Sequence, residues 1–381
     1  MLIYRYIRGL EINNNVVNIA VNVNITFISM FTSTSQFYIA GCFFVFDTTV
    51  DTIGILKCKP NAPSQPIPNI FAMLRVIEGG FFMYRYAVIY NPHSGHNNGE
   101  SVGQKIEQAL IKNQHKVELM PTEGPKDATR LAKKAARAGF DVVVAVGGDG
   151  TINEVVSGLA TLDQPPYLGI VPAGTVNNLA RMLQIPLDID QAIENLQQVH
   201  LRPLDVGQVN DDYLISTMTL GILADAALNV TQSEKQKWGP LAFLSKGIHA
   251  LAEHQHYPLT IETPDRHWQK DTQFLLVTLT NSVGGFTNFN PEAQPDDGYF
   301  HVFVAPKMSL ARSVMFLPYF LTGNFKKIPG MTYFKANEIS ITVDNQQSAQ
   351  TRIDGDPSAK SPLEMRLLEH KLQVITPNPD L

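Results

Sequence analysis

Gly147, Gly148, Asp149, Gly150 and Thr151, followed by Ile152, Asn153 and Glu154, stand directly between an apolar run and a helical pattern. Glycines at such a junction let main-chain N–H groups approach phosphate oxygens with no Cβ in the way, and a helix N-terminus favours negative charge. Asp149 is the odd member, because a carboxylate in a phosphate cradle repels the ligand unless a cation lies between them. The plainer reading is a tight strand-to-helix turn in which Asp149 is a helix cap. A second junction, Pro172-Ala173-Gly174-Thr175-Val176-Asn177-Asn178, again ends a strand and opens a helix, and Thr175 can cap that helix or donate to phosphate. Asn91-Pro92-His93-Ser94-Gly95 ends the first strand as a turn. Far along the chain, Ile353-Asp354-Gly355-Asp356 brings two carboxylates together; alone it reads as a turn, and the spaced acidic ligands of a calcium loop are missing. Pro295-Asp296-Asp297-Gly298-Tyr299 is a second acidic turn that also suits a plain hairpin.

The elements that must position these residues follow from apolar periodicity. A β-rich segment at 84–90 leads into the first turn, and Val102, Ile106, Ala109 and Leu110 then share one helical face. A short strand at 116–120 is followed by an alanine-rich helix from Asp127 to Ala138, stopped by Gly139. Residues 141–146 are apolar after the leading Asp141 and do not alternate, which predicts a strand covered on both faces. A helix from about Ile152, a strand at 167–171 and a helix after Gly174 complete an alternating series. That alternation predicts an α/β doubly wound parallel sheet over 83–205, with ligands where strand carboxyl ends meet helix N-termini. After 205 the texture changes to short β-like runs at 213–220, 257–262, 273–280, 299–304, 338–343 and 361–367, with helical stretches near 233–252 and 308–321. This predicts a mainly antiparallel, β-sandwich-like domain over 206–367, residues 368–381 returning to the first domain, and a site in the cleft between the two.

Composition narrows the function classes. A hydrophobic content of 44% with 17% charge is that of a soluble globular chain, and a net charge of −5 provides no basic field for nucleic acid. Both cysteines, Cys42 and Cys58, lie near the start, so nothing later forms a disulfide or thiolate site, and a reducing compartment is expected. Residues 1–82 hold only 9 of the 65 charged residues and none between 12 and 46, yet asparagines interrupt the apolar run and no signal-peptide layout is present. Glu78-Gly79-Gly80, whose codons are purine-rich, stands just before Met83 as a translated ribosome-binding site would. Residues 1–82 are therefore expected to be upstream sequence, against the alternative of a poorly packed extension or anchor.

GGDGTINEV at 147–155 followed by PAGTVNNLAR at 172–181 resembles the catalytic domain of the diacylglycerol kinase family, in its small soluble bacterial branch. NPHSG at 91–95, LDVGQVND at 204–211, GPLAF at 239–243, DDGYFHVFV at 296–304 and IDGD at 353–356 match in the same order. GGDGT alone is shared with NAD kinases and phosphofructokinases; the ordered set is far more specific. Two positions depart from the family pattern: Asn178 stands where it usually has Asp, and His96 where a basic residue often follows Ser-Gly.

The resemblance implies an ATP- and Mg²⁺-dependent lipid kinase acting on diacylglycerol or a related lipid alcohol. ATP contacts then fall on Asn91, Ser94, Gly95, Thr122, Gly147, Gly148, Asp149, Gly150, Thr151, Ile152, Asn153, Glu154 and Thr175. Asp149 is expected to face the metal, directly or through water, Asp354 to be the general base, and Asp356 to set the local field. The acidic turn resembles a structural Mg²⁺ site, with Asp297 as ligand beside the main-chain carbonyls of Gln294 and Tyr299. Lys235, Lys237 and Lys246 among Trp238, Leu241 and Phe243 suit a membrane surface, or equally a helix packed into the core. Expected partners are the membrane lipid, a peripheral membrane surface and a second copy in a homodimer, with no nucleic acid, in the cytoplasm. Two rivals stand beside this reading: a NAD kinase-like enzyme, and an inactive nucleotide- or lipid-binding regulator.

Overall fold

Val142–Gly147 is a strand buried at all six positions. An unbroken apolar run of this kind fits only where helices cover both faces of a sheet. In the computed structural model of the protein, the described residues are the strands at 34–39, 42–47 and 52–58, together with 83–92, 99–198, 200–221, 257–282, 289–305, 318–319, 322, 324–343 and 351–378. The chain divides into two compact units, Met1–Phe82 and Met83–Leu381. In the first, β1 (Thr34–Ile39), β2 (Cys42–Asp47) and β3 (Thr52–Cys58) pair antiparallel in chain order. The expectation for the remainder of 1–82 lies outside the described residues.

The second unit begins with β4 (Arg85–Tyr90), α1 (Gly99–Lys112), β5 (Lys116–Pro121), α2 (Asp127–Arg137), β6 (Val142–Gly147), α3 (Asp149–Ala160) and β7 (Tyr167–Pro172). The strands are parallel in the order β5-β4-β6-β7. Two short helices follow, α4 (Asn178–Met182) and α5 (Ile189–Asn195). Alternate residues of each strand serve opposite faces. Ala87, Ile89, Val143 and Ala145 pack with Leu131 and Ala132 of α2 and Val155 and Leu159 of α3. Tyr86, Val88, Val142 and Val144 pack with Val102, Ile106 and Leu110 of α1 and Ile193 of α5. Two helix starts differ from the sequence expectation. The helix expected from Ile152 begins at Asp149, and the one expected after Gly174 waits until Asn178, because Asn177 is left-handed at φ 54°.

The remaining strands are β8 (His200–Val209), β9 (Asp212–Leu214), β10 (Thr217–Gly221), β11 (Tyr257–Thr263), β12 (Arg266–Thr272), β13 (Phe274–Thr278), β14 (Phe300–Val304), β15 (Thr332–Ala336), β16 (Glu338–Val343), β17 (Thr351–Ile353), β18 (Asp356–Pro357) and β19 (Leu363–Thr376). A six-stranded antiparallel sheet has the order β15-β14-β13-β10-β17-β18. Its Met218, Val277 and Val302 face Ile261, Ile341 and Met365 of the other sheet across a shared apolar core, which is sandwich packing. The α/β plus β fold class is therefore present. Strand β19 runs through both halves: it pairs antiparallel with β16 and β8, then parallel with β7 at Val374–Leu168. Its register slips between Leu368 and Leu372, where His370 is left-handed at φ 49°, and such a bulge bends a strand. The helical stretches expected at 233–252 and 308–321 lie outside the described residues apart from Pro318 and Tyr319.

Helices α2 and α3 meet closely at Gly158, where a Cβ would stand 2.7 Å from the Thr129 carbonyl oxygen and 2.9 Å from Ala132 Cβ. Gly158→Ala is predicted to force the helices apart and destabilise the protein by about 1–3 kcal/mol in urea unfolding.

Candidate active site

The carboxyl ends of the parallel strands form one edge. The Thr122 amide donates to the Tyr90 carbonyl (2.9 Å) and the Ala173 amide to the Gly147 carbonyl (2.8 Å), so the strand pairings continue past their ends. Asn91, Thr122, the β6–α3 turn and the turn after β7 consequently share that edge. The chain order reverses at β4, which has β5 on one side and β6 on the other, and open α/β sheets bind ligands outside such switch points. The two glycine turns touch through their backbones: a Cβ on Gly174 would lie 2.4 Å from Gly148 Cα. Gly150 has no neighbour within 4 Å of the place a Cβ would occupy, and Gly148, the residue before α3, provides no side-chain cap. This leaves a helix N-terminus open to an anion, as phosphate binding requires. Thr175 is exposed on the facing turn. Ser94, Gly95 and His96 lie outside the described residues.

Three of the residues expected at the nucleotide have places of their own within the protein. Ile152 is fully buried in the core, so only its main chain can meet a ligand. The carboxylate of Glu154 accepts from the amides of Lys126 (2.9 Å) and Ala128 (3.1 Å), which makes it a cap on α2. Asp149 also serves a neighbouring helix: Oδ2 accepts from the Asn177 amide (2.9 Å) and Oδ1 from the Asn178 amide (2.7 Å), at the start of α4. The carboxylate expected to face a metal, directly or through water, thus receives one amide on each oxygen, and each oxygen keeps part of its accepting capacity. Burial raises the pKa of Asp149, against the opposing amides of Asn178, Asn177 and Leu179. Asn178 accepts from Ser282 Oγ (2.9 Å), fastening α4 to the segment after β13. In this place the departure from Asp removes one charge beside Asp149 while keeping an acceptor for Ser282.

Asp354 lies at the tip of the β17–β18 hairpin, left-handed at φ 51° and followed by Gly355 at φ 96°. Two such residues make a two-residue hairpin turn, which Asp-Gly favours. The side chain folds back into the structure. Oδ1 accepts from the amides of Ser216 (2.8 Å) and Thr217 (2.7 Å), and Oδ2 from the Ile215 amide (3.0 Å) and from Asn153 Nδ2. Burial pushes its pKa up to about 6, although the Ile215, Thr217 and Ser216 amides and Asn153 all pull the other way. Asn153, expected on the nucleotide, is therefore held on Asp354. Asp356 is exposed on the far arm of the hairpin.

The acidic turn is closed by charges and main chain. Arg202 Nη2 donates to Gln294 Oε1 (3.1 Å) and Asp296 Oδ1 (3.0 Å). Asp297 Oδ2 lies 2.9 Å from His301 Nε2 and 3.5 Å from Lys335 Nζ, and Oδ1 accepts from the Tyr299 amide (3.2 Å). Burial works to raise the pKa of Asp297, but His301 and Lys335 outweigh it and hold the carboxyl below its ordinary range. One carboxylate and main-chain carbonyls suit a hard cation in kind. With Oδ2 facing His301 and Lys335, Oδ1 is the oxygen that remains for one. Asp205, which motif reading passed over, braces this turn. It is 2% exposed and accepts from the amides of Gly298 (2.8 Å) and His370 (2.7 Å), and burial raises its pKa. A lone Asp between Leu204 and Val206 in an apolar run was the signal that could have found it.

Among the described residues, no helix is long and apolar enough to cross a membrane. The family described as the diacylglycerol kinase catalytic domain matches residues 85–209, and the one described as the YegS C-terminal NAD kinase beta sandwich-like domain matches 216–376. A diacylglycerol kinase of Bacillus subtilis is 37% identical over 300 residues, 77% of this chain and 97% of that protein. One from Staphylococcus saprophyticus is 34% identical over 294 residues, 77% of this chain and 96% of that protein. In fold, the chain is similar to a crystal structure of a diacylglycerol kinase from Bacillus anthracis, at a TM-score of 0.67 and 24% identity, covering 78% of this chain and 98% of that one. The chain belongs to the diacylglycerol kinase family, and it is a kinase.

Proposed function

We propose that the protein transfers the γ-phosphoryl group of ATP to the hydroxyl of diacylglycerol or a related lipid alcohol, giving phosphatidic acid or an analogue. The observation that carries this reading is the contact between Asn153 on α3 and Asp354, 201 residues later. It brings the Asp354 carboxylate to the helix whose N-terminus suits phosphates, which supports a role for Asp354 as the base. Asp354 takes the proton of the hydroxyl as the new P–O bond forms and the bridging bond breaks, its electron pair leaving on ADP. Glycines 147, 148 and 150 and the amides of the α3 turn hold the phosphates. Mg²⁺, when bound, would spread the charge of the phosphates, with Asp149 on the nucleotide side. A structural Mg²⁺ would rest on Asp297 Oδ1 and the carbonyls of Gln294 and Tyr299. The expected membrane-facing residues between 233 and 247 lie outside the described residues.

The test is radiolabelled ATP with diacylglycerol in mixed micelles, and with NAD as competing acceptor because the sandwich family carries that likeness in its description. Label in lipid is expected; label in NAD alone would favour the rival enzyme. Asp354→Asn should lower kcat and kcat/KM together on the order of 10²-fold or more, with KM for ATP unchanged. The new amide group also meets donors, so about 1–3 kcal/mol of stability should go with it. In the wild type, kcat/KM should rise as pH passes through about 6, where Asp354 becomes the carboxylate. Folding stability runs the other way: the contribution of the raised pKa is complete below the ordinary 3.8 and is lost as pH rises through about 6. Asp149→Ala should abolish turnover. By orphaning the Asn177 and Asn178 amides it should also cost about 1–3 kcal/mol, read by thermal unfolding.

A further inference from the structure

Asp354 has accepting capacity for about four hydrogen bonds, and four donors already fill it. A lipid hydroxyl can reach the carboxylate only if one donor leaves. Three of the four are main-chain amides of one stretch, Ile215 to Thr217, and that stretch is fixed: the Asp354 amide donates back to the Thr217 carbonyl (2.7 Å), and Thr217 pairs with Thr278 in the sheet. The fourth, Asn153, is the single side-chain donor. We propose that Asn153 is a positioning residue for the base: its amide occupies Oδ2 of Asp354 in the resting enzyme and yields that oxygen to the acceptor hydroxyl. The inference rests on the proposed kinase reading for its chemistry, and on geometry for the pairing itself.

The orientation of Asn153 is itself set, because Ser157 Oγ donates to Asn153 Oδ1 (3.1 Å) and turns Nδ2 toward Asp354. Asn153 also stands one helical turn after Asp149, so the same helix that offers its N-terminus to phosphates holds the base. Among the described residues, no second charge competes for the carboxylate from the packed elements. On α3, Asp149 and Glu154 are committed to the amides of α4 and α2. The stretch 215–217 contributes uncharged amides, and on the hairpin Arg352 Nη1 donates to the Gly355 carbonyl while Asp356 is exposed. When the hydroxyl replaces the Asn153 amide, its proton passes to Oδ2, its oxygen bonds to phosphorus, and the bridging electron pair leaves with ADP. Burial raises the pKa of Asp354 and Asn153 is one of the groups that restrain it, so loss of Asn153 moves the titration upward.

The experiment measures kcat/KM for lipid against pH, and KM for ATP, in wild type, Asn153→Ala, Asn153→Asp and Ser157→Ala, with folding checked by thermal unfolding. The acidic limb should move up by about half a pH unit or more in Asn153→Ala, by about one or more in Asn153→Asp, and less in Ser157→Ala. KM for ATP should stay within about twofold, which is about 0.4 kcal/mol. An unmoved limb with an ATP KM raised about tenfold would overturn the inference and return Asn153 to the nucleotide. If the wild type phosphorylates no lipid, the kinase reading fails by itself, and the pair is still read from stability. Asn153→Asp should then lose Tm between pH 5 and 8 more steeply than wild type, because two carboxylates share one pocket. Parallel curves would show that the two residues do not meet.

Discussion

One half-buried carboxylate joins three parts of this protein. Asp354 accepts from main-chain amides at the start of β10, from Asn153 on α3, and carries the tip of its own hairpin. Without it, the hairpin would keep its ladder to β10 and the Asp354 amide bond to the Thr217 carbonyl, but the amides of 215–217 would lose their side-chain acceptor. An unmet buried donor costs about 1–3 kcal/mol, so the pocket is held together by the group that the proposed chemistry needs. The price of this economy is access, since a fully engaged carboxylate must release one donor before it can take a proton.

Asp149 follows the same logic on the other side of the site. Its carboxylate starts α4 from the end of β6, and the backbones of Gly148 and Gly174 come into contact beneath it. The two glycine turns are thereby fixed relative to each other before any ligand arrives. Glu154 does the same for α2. Asp149 and Glu154, which read as ligand contacts in the sequence, also cap neighbouring helices in the folded chain. This also explains how a cradle suited to phosphate tolerates them: their charge is directed into helix N-termini, which favour it.

The α/β half was legible because its signals are local. The run 142–146 and the spacing of Val102, Ile106 and Leu110 each carry the period of one element. The sandwich half was less so. β8 contains Pro203 and pairs two-sidedly with a bulged partner, and β12 is a polar, exposed edge strand whose residues show no apolar pattern. β19 was expected to stop at 367, because the bulge near His370 places a polar, left-handed residue inside a fourteen-residue strand. In the site, the glycine turns and the Asp-Gly hairpin were visible as motifs. What each side chain would hold was not, because Asn153 and Asp354 meet across 201 residues and Glu154 caps a helix that precedes it. Pairings of that kind depend on tertiary packing and leave no mark in spacing.

The central claim is that Asp354 is a half-buried, fully hydrogen-bonded carboxylate poised to exchange a proton near pH 6. The most direct measurement is the ¹³Cγ resonance of Asp354 in the folded protein, assigned by its loss in Asp354→Asn and followed across pH. The account predicts a single titration with a midpoint near 6. A midpoint at or below the ordinary 3.8 would contradict it, because the amides would then outweigh burial and leave a carboxylate too weakly basic for the task.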